Sequence, residues 1–203
     1  MRKKVRFFHQ HRFPNHTMET CGAACLLMVL DYYRKVQYPT KKMELKLYKL
    51  YKSRVFKGMP ASYAADALAW NGLQVQLLHS SPRMMENRDG YYEWDLYQAL
   101  WREYCARAEA CKNRVEIRTD LDLDTEYLKA LLDEGKLVMV QCIVPGDADG
   151  IHTEVLHWVL AYGWEAGEFL LCDPAYGKVR IPEEEMAVYL DTPIGRIFLA
   201  VKE

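Results

Sequence analysis

The chain has 203 residues, 50% of them hydrophobic and 27% charged, which is enough for one well-buried core. Its 27 basic and 28 acidic residues leave a formal charge of −1, so neither a nucleic-acid track nor attachment to an anionic membrane surface is favoured. The basic start "MRKKVRFF" runs into polar "HQHRFPNH" with no apolar h-region, and no stretch reaches the ~18 apolar residues of a membrane-spanning helix.

The predicted elements begin with "TMETCGAACLLMVLDYY", residues 17–33, where Ala24, Leu27, Met28 and Leu30 are too dense for one helical face. That density predicts a largely buried helix from Cys21 to Tyr33, with Thr17 or Thr20 as its cap. Residues 40–55 predict an amphipathic helix with Met43, Leu47 and Leu50 inward and a solvated lysine face outward, Lys41, Lys42, Lys46 and Lys49 among it. A helix from Ser62 to Trp70 ends at an Asn-Gly stop, and a strand follows from Gln74 to Leu78.

Residues 80–92 carry loop residues, and 93–112 predict a long helix with Leu96, Leu100, Tyr104 and Ala108 at a spacing of one turn. "VEIR" reads as a strand, "DTEYLKALLDEGK" as a helix and "LVMVQCIV" as a buried strand. After a loop "PGDADGIHTE" come the strand-like runs "VLHWVLAYGW", "EFLLCDP", "GKVRI" and "RIFLAVK". The order predicts an α+β fold, with an antiparallel meander packed against N-terminal helices in a single domain.

Six cysteines without the dense spacing of a secreted scaffold suggest reduced thiols and a cytoplasmic protein. Cys21 opens a helix, where free N–H groups and the positive dipole end favour a thiolate. Cys25 lies one turn deeper and lacks those groups, while Cys105, Cys111 and Cys142 read as packing residues. His157 sits in an apolar strand and Asp173 ends the next one, with only "GWEAGE" between the runs. If the strands are hairpin neighbours, the two meet, and a Cys-His-Asp set becomes available for nucleophilic chemistry. Each residue also has a packing alternative: a core thiol, a satisfied histidine, and an Asx turn before Pro174. A zinc site from Cys21, Cys25, His157 and Cys172 is disfavoured, because no second pair at ligand spacing exists.

"CGAACLLMVL", "HWVLAYG" and "LLCDPAYGK" together resemble the C39-like, papain-like cysteine peptidases, whose cytosolic domains trim leader peptides in bacteriocin exporters. The histidine-to-aspartate spacing of 16 resembles that family's as well. The resemblance implies a papain-like fold with Cys21 as nucleophile, His157 as general base and Asp173 as orienting acid. It further implies hydrolysis or acyl transfer at a peptide or amide bond, with leader-peptide or precursor processing as the expected setting and no cofactor or metal. The implied partners are a peptide or protein substrate and a transporter or precursor peptide. The family pattern has a glutamine six residues before the cysteine, where this chain has Asn15. The expected oxyanion hole is therefore Asn15 with the Cys21 backbone N–H, and Gln10 is a second candidate out of register. The substitution keeps open a catalytically weak peptide-binding module. Residues 80–122 exceed what such a domain needs and are expected to be an insertion in a stand-alone member.

Overall fold

The computed structural model describes residues 3–10, 19–148 and 151–203. The helices are α1 (Cys21–Tyr32), α2 (Lys41–Tyr51), α3 (Ala61–Trp70), α4 (Trp94–Cys111), α5 (Thr125–Asp133) and α6 (Glu183–Tyr189). The strands are β1 (Gln74–His79), β2 (Val115–Arg118), β3 (Leu137–Ala148), β4 (Ile151–Glu165), β5 (Glu168–Asp173), β6 (Gly177–Pro182) and β7 (Ile197–Lys202).

All strands join one sheet in the order β2-β1-β7-β3-β4-β5-β6. The expected antiparallel meander of β4 to β7 holds from β4 to β6, with β3 added antiparallel to β4. β7 does not extend it. It returns to lie between β1 and β3, antiparallel to both, while β2 pairs in parallel with β1 through the α4 crossover.

Period-two alternation divides the core. Leu137, Met139, Trp158, Leu160, Leu199 and Val201 pack on one face with residues of α1, α3 and α4. Val138, Val140, Val159, Ala161, Phe198 and Ala200 pack on the other with α5 and α6. A sheet covered on both faces explains the unbroken apolar runs of β3 and β7. The expected packing of N-terminal helices on the sheet is thus met on one face, and the second layer of helices is additional.

Three local expectations need correction. "PGDADGIHTE" is largely strand, because β3 and β4 keep their register from Val138–Ala161 out to Ala148–Ile151. Strands already in register satisfy backbone groups by pairing on, which overrides turn-favouring composition. "EEEMAVY" forms α6, an element absent from the sequence reading, with three acids in its first turn. In α2 the inward residues are Glu44 and Tyr48, whereas Leu50 is 59% exposed. The helix is turned so that Glu44 accepts from the Thr20 hydroxyl at 2.5 Å and Tyr48 donates to Glu19 at 2.6 Å.

The rest follows the local chemistry. Residues Cys21 to Leu30 are all buried, as a helix without a polar face must be. Thr20 holds the cap position of α1, but its side chain does not cap the helix, since the hydroxyl is committed to Glu44. Thr17 lies outside the described residues. Thr40 and Asp124 cap α2 and α5. Residues 80–92 form a loop with one 3-10 turn at Arg88–Gly90. Asp66 of α3, almost fully buried, binds Arg107 at 2.9 Å and Arg114 at 2.8 Å and fixes α4 in place. All six cysteines are free, and among the described residues no helix is long and apolar enough to cross a membrane.

Candidate active site

The site forms where two strands separate. β4 and β5 are joined by the tight turn at Ala166 and Gly167, both at positive φ, and stay paired as far as Leu160–Cys172. Beyond that pair they part, and the N-terminus of α1 reaches the exposed backbone of β4. The Cys25 thiol donates to the Trp158 carbonyl at 3.4 Å, and the Cys21 sulfur is hydrogen-bonded by the backbone N–H groups of Trp158 and Gly22.

Asp173 ends β5 on the other side of the parting. Its Oδ1 accepts from the Ala175 N–H at 2.8 Å and the Tyr176 N–H at 3.3 Å, an Asx turn, and also receives His157 Nε2 at 2.9 Å. With Nε2 engaged, Nδ1 is the ring nitrogen left for the Cys21 thiol, which lies near enough for each group to shift the other's pKa. The structure therefore brings Cys21, His157 and Asp173 together, all three less than 8% exposed.

Their electrostatics are coupled. Burial pushes the Cys21 thiol up, but the hydrogen bond and charge of His157 and the two backbone amides outweigh it, leaving the pKa below the ordinary 9.0. For His157 burial acts downward, and Asp173 and Cys21 together overcome it, raising the imidazole above 6.5. Burial would raise Asp173 as well, yet the His157 hydrogen bond and the turn amides hold it below 3.8. The other five thiols are pushed up, chiefly by burial. Cys21 is thus the thiol disposed to ionise, and it pairs with an imidazole disposed to hold the proton.

The sequence pattern described as the Peptidase_C39 like family matches residues 11–194. The chain belongs to that family. Among solved structures, a putative C39-like peptidase from Bacillus anthracis superposes with a TM-score of 0.56 at 11% identity, over 99% of this chain and 96% of the other. A double glycine motif protease from an AMS/PCAT transporter, solved in complex with its leader peptide, superposes with a TM-score of 0.51 at 19% identity, over 99% and 94%. Both likenesses show the papain-like peptidase-domain fold. Comparison with curated protein sequences gives no match.

In this C39-like chain Asn15 lies outside the described residues. Gln10 is 5% exposed and sits beside the acid turn, its backbone N–H donating to the Pro174 carbonyl at 2.9 Å. Among the described residues neither its amide nitrogen nor its amide oxygen has a hydrogen-bond partner. Buried amides are rarely left so, and an orphaned one beside the Asp173 turn calls for a functional explanation. Among the described residues no group of three or more His, Cys, Asp or Glu side chains is placed to hold a metal ion.

Two features were not legible beforehand. The Trp158 backbone binds both thiols of α1, a contact that side-chain pattern cannot report. Gly22 is required by close packing, not by its dihedral angles: a Cβ there would lie 2.9 Å from Met59 Cβ and 3.2 Å from Trp158 Cδ1. Trp158 Nε1 in turn donates to the Met59 carbonyl at 2.9 Å, so neither neighbour can withdraw freely. Gly22→Ala is expected to destabilise the fold by about 1–3 kcal/mol. A urea titration reads the loss as a lowered midpoint with unchanged slope.

Proposed function

We propose that this protein is a cysteine peptidase, or an acyltransferase of the same chemistry, acting on peptide or amide bonds through Cys21, His157 and Asp173. The observation that carries the reading is the single junction where α1 enters the β4–β5 parting. There a thiol with a lowered pKa meets an imidazole whose far nitrogen is held by a buried carboxylate. Asp173 fixes the ring orientation and favours the imidazolium. The Cys21 thiolate attacks the carbonyl carbon, the His157 proton passes to the leaving amine, and the resulting thioester is resolved by water or by an amine.

The Cys21 backbone N–H is one donor to the oxyanion. For the second we assign the Gln10 amide ahead of Asn15, since it is buried beside the acid turn with no hydrogen-bond partner among the described residues. Residues 80–122 are read as an insertion in a single domain, built from the 80–92 loop, α4 and β2. The peptide substrate of the transporter-associated neighbour makes a leader or precursor peptide the natural substrate class, with a precursor peptide or a transporter as partner.

Alkylation tests the reading directly. Iodoacetamide at pH 6 should modify Cys21 at least about tenfold faster than Cys105, whose thiol burial pushes up. Because the Cys21 pKa is lowered, the acid limb of its rate profile should fall below that of a free thiol. Equal labelling of the two cysteines, followed by peptide mapping, would remove the basis for nucleophilic catalysis.

A further inference from the structure

Residues 41–57 carry seven lysines and arginines against one acid, the buried Glu44, in a chain whose net charge is −1. This basic run leads from α2 into a loop held in one shape. The Ser53 N–H donates to the Gly58 carbonyl at 2.9 Å, and Ser53 Oγ accepts from the N–H groups of Val55 and Phe56 at 3.0 Å. Glu103 of α4 braces the loop, accepting from Ser53 Oγ at 2.5 Å, from the Arg54 N–H at 2.8 Å and from the Tyr63 hydroxyl at 3.0 Å. Glu103 thereby places one acid beside this basic run.

The loop presents Arg54, Val55, Phe56 and Lys57 to solvent. Val55 and Phe56 are 42% and 40% exposed, and the Arg54 guanidinium makes no ion pair among the described residues. Between the loop and α4 lies a cavity of 410 Å3 whose walls include Val55, Tyr63, Ala106 and Ala110, with Arg54, Glu103 and the Asp66-paired Arg107 as its charged lining. That volume is within the roughly 300–1,000 Å3 of small-ligand sites. The loop also adjoins the candidate active site: Met59, next to its closing residue, covers Gly22, and Lys57 pairs with Glu19 at 3.4 Å.

We infer that the 53–58 loop and the cavity it shares with α4 form an exosite for an acidic segment of the peptide substrate bearing an apolar anchor residue. This rests on the peptidase reading for the identity of the ligand as substrate. The cationic run takes the acidic side chains, and the cavity takes the anchor. A recess that receives one side chain suits a peptide better than a flat lipid surface, and the chain's net negative charge disfavours a nucleic acid. The 80–122 segment then has a purpose, since its α4 supplies Glu103 as brace and Ala106, Arg107 and Ala110 as walls.

The test uses Cys21→Ala protein, which cannot turn substrate over, and two fluorescein-labelled peptides of equal length. One alternates glutamate with leucine and phenylalanine, and the other carries lysine in place of glutamate. Anisotropy should show the acidic peptide binding at least about tenfold tighter (~1.4 kcal/mol). The preference should shrink between about 0.01 and 0.15 M salt, as the Debye length falls from about 30 to 8 Å. Arg54→Glu with Lys49→Glu should abolish the preference, and Ala106→Trp should weaken both peptides while keeping the salt dependence. Equal binding of the two peptides overturns the exosite, as does binding of phosphatidylserine vesicles or a DNA duplex without the acidic peptide. Wild-type Cys21 alkylation separates the two readings. A reactive Cys21 without acidic-peptide binding defeats the exosite alone, and an inert Cys21 with binding defeats the peptidase alone.

Discussion

Cys21→Ala should lower turnover of a fluorogenic peptide, selected from a library as a substrate of the wild-type protein, by roughly 10^4-fold or more. The size follows from the arrangement. His157 and Asp173 remain paired at 2.9 Å without the sulfur, but neither can form the acyl intermediate that divides amide cleavage into two easier steps. Cys105→Ala is the matched control, because it removes a thiol from α4, outside the junction. Cys21→Ala protein that still cleaves the peptide at near wild-type rate would end the mechanism, whatever its alkylation chemistry. Retention of acidic-peptide binding by the same protein would leave a peptide-binding module as its function.

Gln10→Ala is expected to cost about 10^2–10^3 in kcat with little change in KM, the signature of a donor used mainly in the transition state. Among the described residues its amide makes no hydrogen bond, so truncation breaks no ground-state hydrogen bond of that group there. A purely structural role would act differently, lowering stability and raising KM along with kcat. Asn15→Ala should change kcat by less than about tenfold. The reverse pattern, with Asn15 carrying the large loss and Gln10 almost none, would restore the register that the family pattern implies.

The reach of sequence reasoning depended on the kind of interaction. Buried helix α1, the strands β3 to β6 and the hairpin that brings His157 near Asp173 were legible because hydrophobic period and turn residues act locally. The long β3–β4 hairpin was missed because pairing overrides composition, and α2 was mis-turned because Glu44 and Tyr48 find partners in residues 19–20. Those partners lie 24 and 29 positions away, beyond any helical period. Gln10 stood second to Asn15 on spacing, and a count of residues ahead of Cys21 cannot detect its backbone hydrogen bond to Pro174.

The sequence by itself determined which residues have the right chemistry: a cysteine at a helix start, a histidine in an apolar strand, an aspartate before proline. Only the tertiary structure decided that they meet. β4 and β5 part beyond Leu160–Cys172, and this opens one backbone edge where the end of α1 fits. The shift of the Cys21 pKa arises at that contact, because a charge in a buried site is set by the neighbours that chain folding supplies.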